Sequence, residues 1–237
     1  MPLPSSNNSP RPTNRILSAL SPQAFERIAP DLEPFALNLG TVLYSPGEEI
    51  TAAYFPERGV ISLVTVMQDG RCVEAAAVGR EGLVGLPLYL GRTTANSRWI
   101  VQVPDGSYRL SAKSFLRHIE GLPELRLLID RYASDLIELM AQLSACNAIH
   151  SLPERCARWL LVTADRMGTN QFHLTHEFLA EMLGVYRPQV TVAASSLQAS
   201  GLIRYRRGDV EITNRDGLEE VSCECYEVTR RRIDSDY

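Results

Sequence analysis

Leu125, Ile129, Tyr132, Leu136, Leu139, Leu143, Cys146 and His150 recur along the chain at spacings of 4, 3, 4, 3, 4, 3 and 4. A mean spacing of 3.5 keeps side chains on one face of a helix, and here it persists for more than three heptads. Asp130, Arg131, Asp135 and Glu138 fall off that face. The chain must therefore be organised around one long rod, with the flanking segments attached to its two ends. A lone stripe cannot bury itself, so a symmetric homodimer is expected, with Ile129, Tyr132, Leu136, Leu139, Leu143 and Cys146 at the interface. On that reading Cys146 faces its symmetry mate. The alternative is an ordinary helix lying on the domain that precedes it.

That preceding domain reads as β structure. From Leu37 to Arg109, glycine and proline interrupt short apolar runs, among them "TVLY", "GVISLVTVM", "CVEAAAV", "SRWIVQV" and "SYRLS". Short strands at close intervals point to a small barrel or jelly roll, with "MQDGRC" as a hairpin turn. Helical pieces are expected around Gln23–Ile28 and Ala112–Ile119. The opening "MPLPSSNNSPRPTN" is polar and rich in proline, and reads as a disordered tail over residues 1–14. The β-roll then covers 15–122 and the long helix 123–150.

After the rod, "SLPE" offers Ser151 as a helix cap, Pro153 in the first turn and Glu154 for a capping box. A third unit, 151–237, follows. In it, "LTHEFLAEMLG" gives a short helix with Thr175 as its cap and Gly184 as its stop. A second helix starts two residues later. On a helical wheel Val190, Ala193, Ala194 and Leu197 fall on one side, and Arg187, Pro188, Thr191, Val192, Ser195 and Gln198 on the other.

One arginine, hydroxyls, an amide and a valine make a face suited to base edges. No acidic residue occurs between Tyr186 and Arg207, where Arg187, Arg204, Arg206 and Arg207 lie. "LIRYRRGDVEIT" reads as a hairpin whose arginines hold a phosphate backbone. The whole is a winged helix-turn-helix, with Thr175, Tyr186, Arg187, Pro188, Gln189, Thr191, Val192, Ser195, Arg204, Arg206 and Arg207 as candidate DNA contacts. The competing reading is a helical hairpin with no nucleic-acid role.

A net charge of −4 excludes a general polyanion binder, so the basic patch must be local. The chain shows no apolar run of membrane length and no leader, so a cytoplasmic protein with reduced cysteines and no membrane contact is expected. The segment from Leu37 to Arg109 contains no histidine, which argues against a metal-dependent enzyme on a β-roll. "CEC" at 223–225 looks like a ligand pair, but two residues apart on a helix point about 200° from each other, so both are expected to be structural thiols. His173 and His176 are expected to be surface or capping groups, and His118 and His150 have no feature that marks them as haem ligands. No metal and no cofactor are expected.

The order of β-roll, rod, capped hinge and winged helix-turn-helix resembles the Crp/Fnr (catabolite activator) family of bacterial transcription regulators. The resemblance rests on "GTVLYSPGEE", "GREGLVG", Trp99 fourteen residues after Gly85, and "LTHEFLAEMLGVYRPQVT". It implies an α+β fold with an N-terminal cyclic-nucleotide-binding-like sensor domain, a dimerisation helix, and binding to a pseudo-palindromic promoter site. It also implies double-stranded DNA and RNA polymerase as partners, and an effector pocket at Gly85, Leu86, Asn96, Ser97, Met140 and Ala141. Cyclic-AMP-binding members carry a glutamate, an arginine–serine pair and a threonine–serine pair at these places. Here Leu86, Asn96-Ser97 and Met140-Ala141 stand there, so control by cyclic AMP is not expected. A ligand-binding sensor module whose C-terminal half mediates protein contacts is the alternative function.

Overall fold

The computed structural model describes residues 11–234. Residues 1–10 of the expected tail lie outside that range. Residues 11–14 do not behave as a tail. Asn14 is fully buried, caps the first helix, and donates through Nδ2 to the carbonyls of Pro56 and Gly82 at 3.0 and 2.8 Å. Thr13 binds Glu57 through both its backbone N–H and its hydroxyl. A buried amide with two carbonyl partners pins the chain there, which the polar composition concealed.

Two short helices, α1 (Arg15–Ser18) and α2 (Pro22–Ile28), lead into the strands β1 (Glu33–Leu37), β2 (Val42–Tyr44), β3 (Ala52–Pro56), β4 (Val60–Val66) and β5 (Cys72–Val78). Helix α3 (Leu86–Tyr89), strands β6 (Arg98–Val103) and β7 (Asp105–Ser111), and helix α4 (Ala112–Gly121) complete the first unit. All pairings are antiparallel, in two sheets ordered β1-β7-β3 and β2-β6-β4-β5. This is the expected roll, with two strands the sequence did not announce. The "MQDGRC" turn forms as expected: Val66 pairs with Cys72, and Gly70 takes φ +84° in the loop.

Helix α5 (Pro123–Ile149) is the rod. Its apolar stripe is not a free dimer seam. Leu125, Ile129, Tyr132, Leu136, Leu139, Leu143 and Cys146 are all buried by this chain alone, with α5 packed on β5 and the roll core. The expected interface residues are thus buried within a single chain, which is the packing of the ordinary-helix alternative. Cys146 lies against Cys223 of its own chain, Sγ to Sγ 3.5 Å.

Then follow α6 (Leu152–Met167), β8 (Gln171–His173), α7 (His176–Leu183), α8 (Arg187–Ala199), β9 (Ile203–Arg206), β10 (Asp209–Ile212), α9 (Arg215–Val221) and α10 (Cys225–Asp234). The capping box forms, with the Ser151 N–H donating to Glu154 Oε2 at 2.7 Å. Strands β8, β10 and β9 form a three-stranded sheet in that order. A second core runs through Trp159, Leu160, Leu179, Val190, Leu197, Ile203 and Tyr226, and it takes in Val64 from the roll. Polar ties join the two units. Gln102 Nε2 donates to Thr163 Oγ1 at 3.1 Å, and Arg166 Nη2 reaches the Ala77 carbonyl and Glu81 Oε1 at 2.8 and 2.7 Å.

Candidate nucleic-acid interface

Helix α7 is started by Thr175, whose Oγ1 accepts the Phe178 N–H at 3.1 Å. It ends at Gly184 with φ +66°, a left-handed conformation that disfavours any side chain. A Cβ at Gly184 would also come within 3.0 Å of Val73 Cγ2 on β5. Glycine therefore serves twice, turning the chain and letting the turn sit against the roll.

Tyr186 caps α8, and its backbone N–H donates to Gln189 Oε1 at 3.0 Å. Gln189 is thus engaged in holding the helix start. Val190, Ala193, Ala194 and Leu197 are buried against α6 and α7, where the small Ala193 and Ala194 let α8 come close to its supports. The opposite face is open: Arg187, Pro188, Thr191, Val192, Ser195 and Gln198 are all exposed, Val192 by 71%. Exposing valine to this extent forgoes hydrophobic stabilisation, which suits a face meant to be covered.

Thr191 is held by a partner the sequence did not single out. Its hydroxyl donates to the Arg187 carbonyl at 3.1 Å, leaving its oxygen to accept from His176 Nδ1 at 3.0 Å. The His176 ring also packs on Tyr205, centroids 4.4 Å apart. One imidazole therefore touches the first helix, the second helix and the hairpin. Burial, with a contribution from Arg187, holds its pKa below the usual histidine value. The only hint in the sequence was its place one residue after the helix cap.

The hairpin β9–β10 turns at Arg207, φ +55°, and Gly208, φ +89°. Arg206 and Arg207 are exposed. Arg204 is engaged across the strands by Glu211, directly opposite in register, so it presents less free charge than expected. Arg187 lies at the open end of α8, with Nε 3.7 Å from Glu177 Oε2 and both side chains exposed.

The six expected effector residues differ in exposure. Leu86 is buried in the roll, and Gly85, φ +125°, is closed by Ala53, whose Cβ would lie 2.9 Å from an added Cβ. Asn96 is exposed and Ser97 half-buried. Met140 and Ala141 point outward from α5, off the stripe that packs on the roll. A separate, largely apolar cavity of about 330 Å³ lies between the roll and the C-terminal unit, lined by residues such as Ile100, Trp159, Met167 and Phe178.

Residues 154–221 match the family described as the Crp-like helix-turn-helix domain. The C-terminal unit carries a Crp-like helix-turn-helix domain. Over about 80–86% of its length the chain has the fold of solved Crp/Fnr-family regulators. It is similar to a protein from Eubacterium rectale assigned to the Crp/Fnr family of transcriptional regulators, at 18% identity and TM-score 0.70, covering 86% of this chain and 95% of that one. It is also similar to CLP, described as a c-di-GMP responsive global regulator of Xanthomonas campestris, at 17% identity and TM-score 0.68, covering 81% and 99%. FixK2 from Bradyrhizobium japonicum matches at 15% identity and TM-score 0.69, covering 81% and 98%. No curated protein sequence matches the chain closely enough to count as a relative. In the Crp-like domain, α7 is the first helix of the helix-turn-helix, α8 the second, and the hairpin β9–β10 follows them. No helix among the described residues is long and apolar enough to cross a membrane.

Proposed function

We propose that this chain is a sequence-specific DNA-binding transcription regulator that acts as a homodimer on a pseudo-palindromic promoter site. One observation carries the reading: α8 turns its small residues inward and an acid-free face of Arg187, Pro188, Thr191, Val192 and Ser195 outward. Such a face fits the major groove, where arginine pairs with guanine, hydroxyls meet base edges or phosphates, and valine meets a thymine methyl. Arg206 and Arg207 on the wing are placed for phosphates. The likeness to Crp/Fnr regulators supports a cytoplasmic setting, RNA polymerase as partner and a non-enzymatic role. Selection from a randomised DNA library by the full chain tests the reading. It should return a two-fold repeat with half-sites about one helical turn, roughly 34–36 Å, apart. Recovery of no common sequence would refute it.

The dimer contact belongs on the outer face of α5. Leu127, Ser134, Ile137, Ala141, Ser144 and Ala148 lie there exposed at spacings of 7, 3, 4, 3 and 4, Ile137 by 65%. A stripe of mostly small residues permits close helix approach, and large exposed Ile137 and Leu127 supply apolar area to bury. The same helix thus has one heptad stripe for its own domain and a second for its mate.

A further inference from the structure

Apart from the recognition surface, the fold gathers four side chains that DNA binding does not use. Cys146 and His150 stand four residues apart at the end of α5, so they share one face of the helix. Cys223 lies in the link after α9, and Cys225 opens α10. The helix boundary falls between the two cysteines, so both are free to turn to the same point. Their three Sγ atoms and an imidazole nitrogen all lie within 4.8 Å of one another, with the three thiols buried. Cys146 Sγ is 3.5 Å from Cys223 Sγ, and Cys225 Sγ is 3.7 Å from His150 Nδ1.

Those separations have a chemical meaning. A tetrahedral ion with bonds of about 2.3 Å to sulfur and 2.0–2.1 Å to nitrogen sets its ligands roughly 3.4–3.8 Å apart. A disulfide would bring two sulfurs to about 2.05 Å, and none of these cysteines is bonded. A multi-iron cluster spreads its thiolates over a wider frame than four atoms this close.

The surroundings agree. His150 Nε2 is 3.0 Å from Glu224 Oε2, which orients Nδ1 toward the sulfurs, as a carboxylate commonly does behind a metal-bound imidazole. Gln142 Nε2 donates to Cys225 Sγ at 3.0 Å. Three thiolates and a neutral imidazole around a dication leave one negative charge. Buried Arg158, whose Nε has no hydrogen-bond partner, and buried Arg155 both lie close enough to act electrostatically on Cys146.

We propose that Cys146, His150, Cys223 and Cys225 form a closed site for one zinc-class divalent ion, which clamps the end of the long helix to the start of the C-terminal helix. Loading would release the thiol protons to solvent. Four protein ligands leave no open position, so the role is structural. Because Tyr226 and Ile233 of α10 belong to the core that carries α8, the ion would fix the angle between the rod and the Crp-like domain. The site stands independently of the DNA-binding reading.

The test uses the full chain, purified without chelator from zinc-supplemented medium and assayed for metal by mass spectrometry. About one zinc per chain is expected. The reduced, metal-free protein, titrated with Co(II) in the absence of oxygen, should develop the visible bands of a tetrahedral thiolate complex and saturate at about one equivalent. Cys225→Ser and His150→Gln should each weaken Co(II) binding by about tenfold or more, while Cys72→Ser, away from the cluster, should bind as wild type does. The wild-type titration needs no variant to fold. Absence of those bands in folded, reduced wild type overturns the proposal. So does acid-labile sulfide in the purified protein, or binding left unchanged by both ligand substitutions.

Discussion

Arg187 and the wing arginines do different work although both are exposed cations near one another. Arg187 begins α8, where side chains reach base edges, whereas Arg206 and Arg207 sit on a hairpin beside the helix. Arg187→Ala should cost about 1–3 kcal/mol on the selected site and relax preference at one base pair in each half-site. Arg206→Ala should weaken all sequences alike and flatten the salt dependence of binding by about one unit per lost phosphate contact. Selection logos for both variants, with affinities at two salt concentrations, separate the roles; identical logos would move base reading from Arg187 to Thr191 or Ser195. His176 gives a pH signature. Its folded pKa lies below the ordinary 6.5, so between those two values the unfolded chain binds the extra proton. This contribution is complete above about pH 6.5 and is lost as the pH falls toward the folded value. Melting temperatures from pH 7.5 down to 5.5 should therefore drop further for wild type than for His176→Gln, and equal drops would contradict it.

Helix α5 separates two questions that a heptad pattern merges: which residues are buried, and what buries them. Leu143, 6% exposed, is covered by its own chain, whereas Ile137 is 65% exposed among the described residues. Leu143→Ala should cost about 2–5 kcal/mol and lower the melting temperature. Ile137→Glu should leave each protomer folded and shift sedimentation toward monomer; if it does neither, the outer face is not the contact. The same distinction explains how far the sequence could be read. The inward face of α8 was legible because four small or apolar residues recur with helical period over a polar opposite face. The inward stripe of α5 was equally legible, but periodicity names no covering surface, so its partner was assigned to a second chain. Strand β3 escaped notice because all five of its residues are buried, which removes the alternation that marks a half-buried strand. Strand β1 carries Glu33 and Pro34 and looks like a loop until it pairs with β7. The cysteine cluster was invisible for another reason: its two halves are some 75 residues apart, and a helix starts between Cys223 and Cys225.

On the scale of the molecule, the roll and the Crp-like domain meet along β5, α6 and α7. A bound cyclic nucleotide would bury a phosphate, and by the resemblance to cyclic-AMP-binding regulators Asn96 would take the place of the arginine that meets it. An anion taken from water without a cationic partner is costly. Calorimetry should show no micromolar binding of cyclic AMP or cyclic GMP, and binding at that level would restore the nucleotide pocket. The joint between the rod and the Crp-like domain sets a further condition. His150 is extended, φ −85° and ψ 146°, and Ser151, φ −65° and ψ 158°, already caps α6. With two soft dihedrals per residue, the connection has about four torsions to work with. Exposed loop tips in proteins commonly absorb an added residue. At this joint one added residue would swing α6 round relative to α5 and draw His150 away from the cysteines it faces. Chain length is therefore pinned at the hinge: beside the His150 imidazole and the Ser151 cap, the number of residues is itself part of what holds the two units in place.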